Sequence, residues 1–179
     1  MAVATSAQQA SERAAERTEV LREAAIMMLY VAIVEIAELA SLPETHVIRG
    51  RLSGPAESDL LAIIWGTAIG LAAAHWFAFR IAAAGFQGER PTRLDTRIGL
   101  AQVGAAAVVA ALSSLPTLIL GDVDARHSVA YVPAAIIGVI GLLVARAGGR
   151  SWARSIIYGV IALVGGIGVA LLKQALSAH

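Results

Sequence analysis

Apolar residues run through this chain in five long blocks separated by short polar stretches, at roughly 23–42, 60–82, 98–120, 128–147 and 152–176. Each block is close to the about 20 residues that a helix needs to cross the hydrocarbon of a bilayer. None shows the strict alternation of a half-buried strand. The pattern predicts an all-α polytopic bundle of five transmembrane helices. The fourth block is interrupted by Pro133 and Gly138. It is kept separate from the fifth because the connection Ala147-Gly148-Gly149-Arg150-Ser151 pairs two glycines beside arginines.

Residues 1–22 have a different character, polar and rich in Ala, Glu and Arg. Ser6 is a candidate N-cap, and the pairs Arg13/Glu16 and Glu19/Arg22 stand at i,i+3 on a helix. The acidic residues and the missing short apolar core argue against a secretory leader. This stretch is expected to be a cytoplasmic helix running on into the first span, with a partly ordered tail as the alternative. The rest of the chain, 23–179, reads as one membrane domain.

The connections divide the charges unevenly. With the N-terminus inside, the inner side holds ten of the fourteen basic residues: three before the first span, four between the second and third, and three around the fourth and fifth. The outer side holds Arg49, Arg51, Arg126 and Lys173. That bias predicts an N-in, C-out orientation in the cell (inner) membrane. Thr92 followed three residues later by Asp95 is a helix-start signal for the third span. No connection is long enough for a folded soluble domain; the longest is the outer one at 43–59.

Composition agrees with the pattern. Of 179 residues, 58% are hydrophobic and 15% charged, against about 45–50% and about 25% in soluble domains. A formal net charge of +1 provides no general field for nucleic acid. The absence of cysteine excludes disulfides and thiolate chemistry. Four scattered histidines make no spaced ligand motif, and a single histidine at membrane depth cannot supply two haem ligands in one chain. No cofactor is expected. Phosphate-binding, zinc-hydrolase and serine-hydrolase motifs are all missing, so no enzymatic activity is expected.

The chemistry concentrates in the first span, IMMLYVAIVEIAELASL, which carries Glu35 and Glu38. A carboxylate near mid-bilayer costs several kcal/mol unless protonated, paired or hydrated. Three residues apart, the two acids share a helix face, and at least one is expected to keep its proton. Such a site suits proton binding or oxygen ligation of a small cation. The alternative is that both carboxyls bond to neighbouring helices, through Ser113, Ser114, Thr67 or Tyr30, and fix packing. His75, in the second span, is a candidate inner relay, or else an interfacial residue beside Trp76 and Arg80. Glu44, His46, Asp122, Asp124 and His127 form a possible outer-mouth cation site, or are ordinary loop groups.

Glycines in the spans, notably Gly66, Gly70, Gly165 and Gly166, offer flat faces for helix contact, within the chain or in a homo-oligomer. Pro116, one turn after Ser113 and Ser114, is placed to kink the third span. Short echoes between spans, such as Ile69-Gly70-Leu71 and Ile140-Gly141-Leu142, raise the alternative of a duplicated hairpin. The expectation is a small channel or proton-coupled transporter in contact with lipid, acting on protons or a small cation. The competing expectation is a non-enzymatic scaffold or subunit of a larger membrane complex.

Overall fold

The computed structural model describes residues 2–42, 46–48, 51–53, 57–86, 92–120 and 129–177. Five helices make up nearly all of them: α1 Ala2–Leu39, α2 Glu57–Phe86, α3 Arg93–Leu120, α4 Tyr131–Ala147 and α5 Trp152–Ser177. Two three-residue strands, β1 His46–Ile48 and β2 Arg51–Ser53, pair antiparallel between α1 and α2 with Val47 opposite Leu52. The longest connection, at 43–59, therefore contains a small hairpin.

Three helices contain stretches long and apolar enough to cross a membrane: Asp59–Ile81, Arg93–Ile119 and Trp152–Val169. Only 22% of the α2 stretch and 17% of the α5 stretch is buried inside the bundle, against 50% for α3. Ile69, Phe77, Ile161 and Val164 are all at least 60% exposed. Faces of this size and apolarity are suited to lipid and unsuited to water. The chain has the architecture of a multi-pass membrane protein. The other two predicted spans differ. α4 is apolar but only 17 residues long, and the apolar half of α1 is broken by its two glutamates.

α1 is the axis of the bundle. It packs against all four other helices, with the α2–α3 pair on one side and the tightly packed α4–α5 pair on the other. Its buried residues Met27, Val31, Ala32 and Ile36 meet Ile64 and Ala68 of α2, Ala106 and Val109 of α3, and Ile136 and Ile137 of α4 in one core. The helix runs unbroken from the polar N-terminal stretch into the apolar half. Ser6 consequently lies inside a helix rather than at its cap. Glu19 pairs with Arg22 at 2.5 Å as expected, but Glu16 does not pair with Arg13. Its partner is Arg97 at the start of α3, at 3.5 Å.

Helix ends follow the local chemistry. Thr92 and Asp95 form a reciprocal capping box: the Thr92 amide donates to Asp95 Oδ2 at 2.8 Å and the Asp95 amide to Thr92 Oγ1 at 3.2 Å. α4 stops at Gly148-Gly149. Gly149 takes φ 77° and donates to the Arg146 carbonyl at 2.9 Å, a left-handed closure that favours glycine. Pro133 does not interrupt α4. It sits in the first turn, where the missing N–H would have had no helical partner.

The α4–α5 contact is made by glycines on both helices, the expected Gly166 among them. A Cβ on Gly159 would stand 2.7 Å from the Gly138 carbonyl oxygen, and one on Gly141 would stand 2.7 Å from Ala162 Cβ. Gly166 is also tight, against Ile137. A Cβ on Gly66, Gly70 or Gly165 would instead meet no atom of the described residues within 4 Å. Gly159→Ala is expected to destabilise the protein by about 1–3 kcal/mol, because backbone cannot yield to the added methyl. Gly66→Ala, in open space, is expected to be neutral or slightly stabilising through helix propensity. Thermal unfolding of the two variants in detergent checks the contrast.

Candidate functional site

The polar groups inside the bundle lie on α1 and on the faces of α2 and α3 that cover it. They form two clusters. The first is at mid-bundle. Glu35 is 1% exposed, and Ser113 of α3, itself fully buried, donates to its Oε2 at 2.6 Å. One turn further along α1, Glu38 accepts a hydrogen bond from Thr67 of α2. The two carboxyls expected on one face are thus held by two different helices. Of the partners considered from sequence, Ser113 and Thr67 take the role. Ser114 bonds back to its own helix at the Ala110 carbonyl, 2.7 Å away, and Tyr30 is half exposed.

Two buried side-chain oxygens have no partner among the described residues. They are Glu35 Oε1 and Thr117 Oγ1, both buried. Thr117 follows Ser113 by four residues, so the two hydroxyls lie on the same face of α3. Between them, Pro116 lacks the N–H that would close a helical bond to the Leu112 carbonyl. α3 continues through this proline to Leu120. Ser113 and Thr117 thus put two hydroxyls on the face of α3 that meets Glu35 through Ser113, and Glu35 keeps one oxygen open. Hard oxygens of this kind bind a proton or a small cation. No group of three or more His, Asp or Glu suited to a metal ion occurs among the described residues.

The second cluster lies toward the Arg-rich end. The Gln102 amide nitrogen donates to Glu23 Oε2 at 3.1 Å and lies 3.0 Å from His75 Nε2, which accepts when the ring proton is on Nδ1. Gln102 is 5% exposed and joins α1, α2 and α3 at one level. His75 and Gln102 also border a cavity of about 260 Å³ with Ile26, Met27 and Tyr30. Sequence reasoning singled out His75 but not Glu23, Gln102 or Thr117. The available signal was an amide inside an otherwise apolar segment, since a buried amide requires partners.

The clusters are separated by an apolar layer. Met27 and Val31 of α1, with Ala106 and Val109 of α3, are buried between them. Twelve residues from Glu23 to Glu35 correspond to about 18 Å along the helix axis. His75 is thus not in contact with Glu35. Of the outer-mouth group, Glu44, Asp122, Asp124 and His127 lie outside the described residues, and only the backbone of His46, in β1, is described.

Comparison with known protein families, curated proteins and solved structures returns no match, so the geometry carries the functional reading.

Removing the Ser113 hydroxyl leaves Glu35 without its α3 partner. Ser113→Ala is expected to cost about 1–3 kcal/mol, the range for a buried polar group stranded by loss of its partner. Ser114→Ala, whose hydroxyl only bonds its own helix, is expected to cost less than about 1 kcal/mol. Unfolding of the two variants in detergent measures the difference.

Proposed function

We propose that the chain is a five-span, N-in protein of the cell membrane that moves protons or a small cation, with Glu35 as the exchange site. The observation that carries this reading is the unpaired Glu35 Oε1 in the bundle core, with Thr117 Oγ1, one turn along α3 from Ser113, also buried and unpaired among the described residues. Buried polar atoms without partners cost about 1–3 kcal/mol each, and such a cost is tolerated where the group has work to do. Glu38 is the outer neighbour, and His75, held with Glu23 by Gln102, is the inner acceptor.

The apolar layer favours a coupled transporter over an open channel. An ion reaching Glu35 from the outer side cannot continue to His75 until Met27 and Val31 move or the layer hydrates. Alternation between outward and inward access satisfies that requirement. The face of α2 left open at Gly66 and Gly70 suits a second copy of the chain, which would make the protein a homo-oligomer. The basic residues at the α1 N-terminal half, the α3 start and the α4–α5 turn support the inner assignment of that end.

A second reading has its own support. The bonds Ser113–Glu35 and Thr67–Glu38 each tie α1 to a neighbouring helix, as a scaffold or subunit of a larger complex would require. Flux in proteoliposomes under an imposed membrane potential separates the readings. Transport predicts proton or cation flux in the wild type that falls at least about tenfold in Glu35→Gln while the oligomeric state is unchanged. The scaffold reading predicts no flux in either protein and weakened assembly in the variant.

Topology is open to direct test because the chain has no cysteine. Single cysteines at Gln9 and Ser41, both exposed, are expected to react with an impermeant thiol reagent from the inside and the outside respectively. Labelling of both from one side contradicts the proposed first span.

A further inference from the structure

The N-terminal half of α1 extends past the bundle beside the first turns of α3, and the two helices run parallel. Gln102 meets Glu23 and Ser113 meets Glu35 at sequence separations of 79 and 78 residues, so the register barely drifts along the pair. Between the extension and the start of α3 lies a groove of about 1020 Å³. Arg13 and Arg17 of α1 and Arg93 and Arg97 of α3 line it, against two glutamates, Glu12 and Glu16, for a net charge of +2.

Both glutamates are already engaged. Glu16 pairs with Arg97 at 3.5 Å, and Glu12 accepts from Gln8 at 3.3 Å. Among the described residues, Arg13, Arg17 and Arg93 have no carboxylate partner. Three uncompensated guanidiniums therefore face one groove, and planar fork donors of this kind match phosphate geometry.

The groove also changes character along its length, in the same direction on both helices. Arg17 is followed one turn later by Leu21, and Arg97 by Leu100, each leucine about two-thirds exposed at 69% and 66%. One helical turn is about 5.4 Å. Guanidiniums thus stand one step outside exposed apolar side chains, as phosphate stands outside the acyl chains of a phospholipid. A soluble anion has no use for the leucines, and a neutral lipid has no use for the arginines.

We propose that this groove binds one anionic phospholipid, its phosphate held by Arg13, Arg17 and Arg93 and its acyl chains laid over Leu21 and Leu100. Bound lipid would clamp the α1 extension to α3 at the level where Glu16 and Arg97 already meet, joining the cytoplasmic extension to the bundle. This proposal depends on the membrane location and not on any role of Glu35. Basic grooves between helices at a membrane surface are a recurrent means of headgroup recognition.

The test is lipid retention by the full chain in nanodiscs of equal parts phosphatidylglycerol and phosphatidylcholine, read by native mass spectrometry. The wild type is expected to keep phosphatidylglycerol preferentially. Arg13→Gln/Arg17→Gln is expected to weaken that binding by about tenfold or more, since each basic residue at the surface adds about 1 kcal/mol. Arg93→Gln, made on the other helix, is expected to weaken it in the same direction. Arg80→Gln/Arg154→Gln removes the same charge from exposed positions outside the groove and is expected to leave it unchanged. Equal weakening by the two double variants would overturn the proposal, because it would reduce the site to general surface attraction. So would retention of phosphatidylcholine as strongly as phosphatidylglycerol, or displacement of the lipid by inorganic phosphate alone.

Discussion

A carboxyl group placed in the middle of a helix bundle has to be met by something, and the rest of this structure is arranged around how that is done. Glu35 lies fully buried in the apolar C-terminal part of the helix that every other helix touches. The cost of leaving a carboxyl bare in an apolar core is several kcal/mol, more than any single apolar contact on α1 returns. The Ser113 hydroxyl therefore has to reach it, and that requirement fixes the rotation and the height of α3 relative to α1. Thr67 does the same for α2 through Glu38. With two helices pinned by these bonds, the apolar residues between them, Val31, Ile64 and Val109, close without freedom to slide.

The same logic explains why the polar groups come in two levels. Glu23, Gln102 and His75 tie α1, α2 and α3 at one end, and Glu35, Ser113, Glu38 and Thr67 tie them further along. A continuous polar file would need water or a chain of hydroxyls between the levels, and Met27 and Val31 occupy that space instead. The proposed transport through Glu35 would require this layer to be displaced or hydrated. The α4–α5 pair takes no part in these ties. It is closed on glycines, Gly138, Gly141, Gly159 and Gly166, and both of its helices pack on α1.

Much of this was legible in the sequence. The helix blocks, the capping box at Thr92 and Asp95 and the Gly-Gly turn all follow from local chemistry, which neighbours do not override. The importance of Glu35 and Glu38 was visible because a carboxylate in an apolar run is expensive wherever the run ends up. Their partners were legible only as a short roster, because a hydroxyl at the right depth cannot be told from one at the wrong rotation without knowing how α2 and α3 turn. Glu16 was assigned to Arg13 by helical spacing and belongs to Arg97, since a partner on a parallel helix leaves no local pattern. The glycines divide in the same way: Gly166 is tight against Ile137, whereas Gly66 and Gly70, with the more familiar spacing, face open space, since contact depends on which face a helix presents. The span count is blurred by the feature that makes the protein interesting, because two acids lower the apolar signal of α1.

The central claim is that Glu35 exchanges a proton or cation inside the bundle and does not merely hold α3 in place. Infrared difference spectroscopy of the membrane-embedded protein after a pH jump reads this directly through the carbonyl stretch of a protonated carboxyl. The account predicts a band in the apolar carboxylic-acid region that responds to the jump, disappears in Glu35→Gln and persists in Glu38→Gln. A spectrum with no pH-responsive carboxyl band, or one that Glu35→Gln leaves untouched, contradicts the account and leaves Glu35 as a helix tie alone.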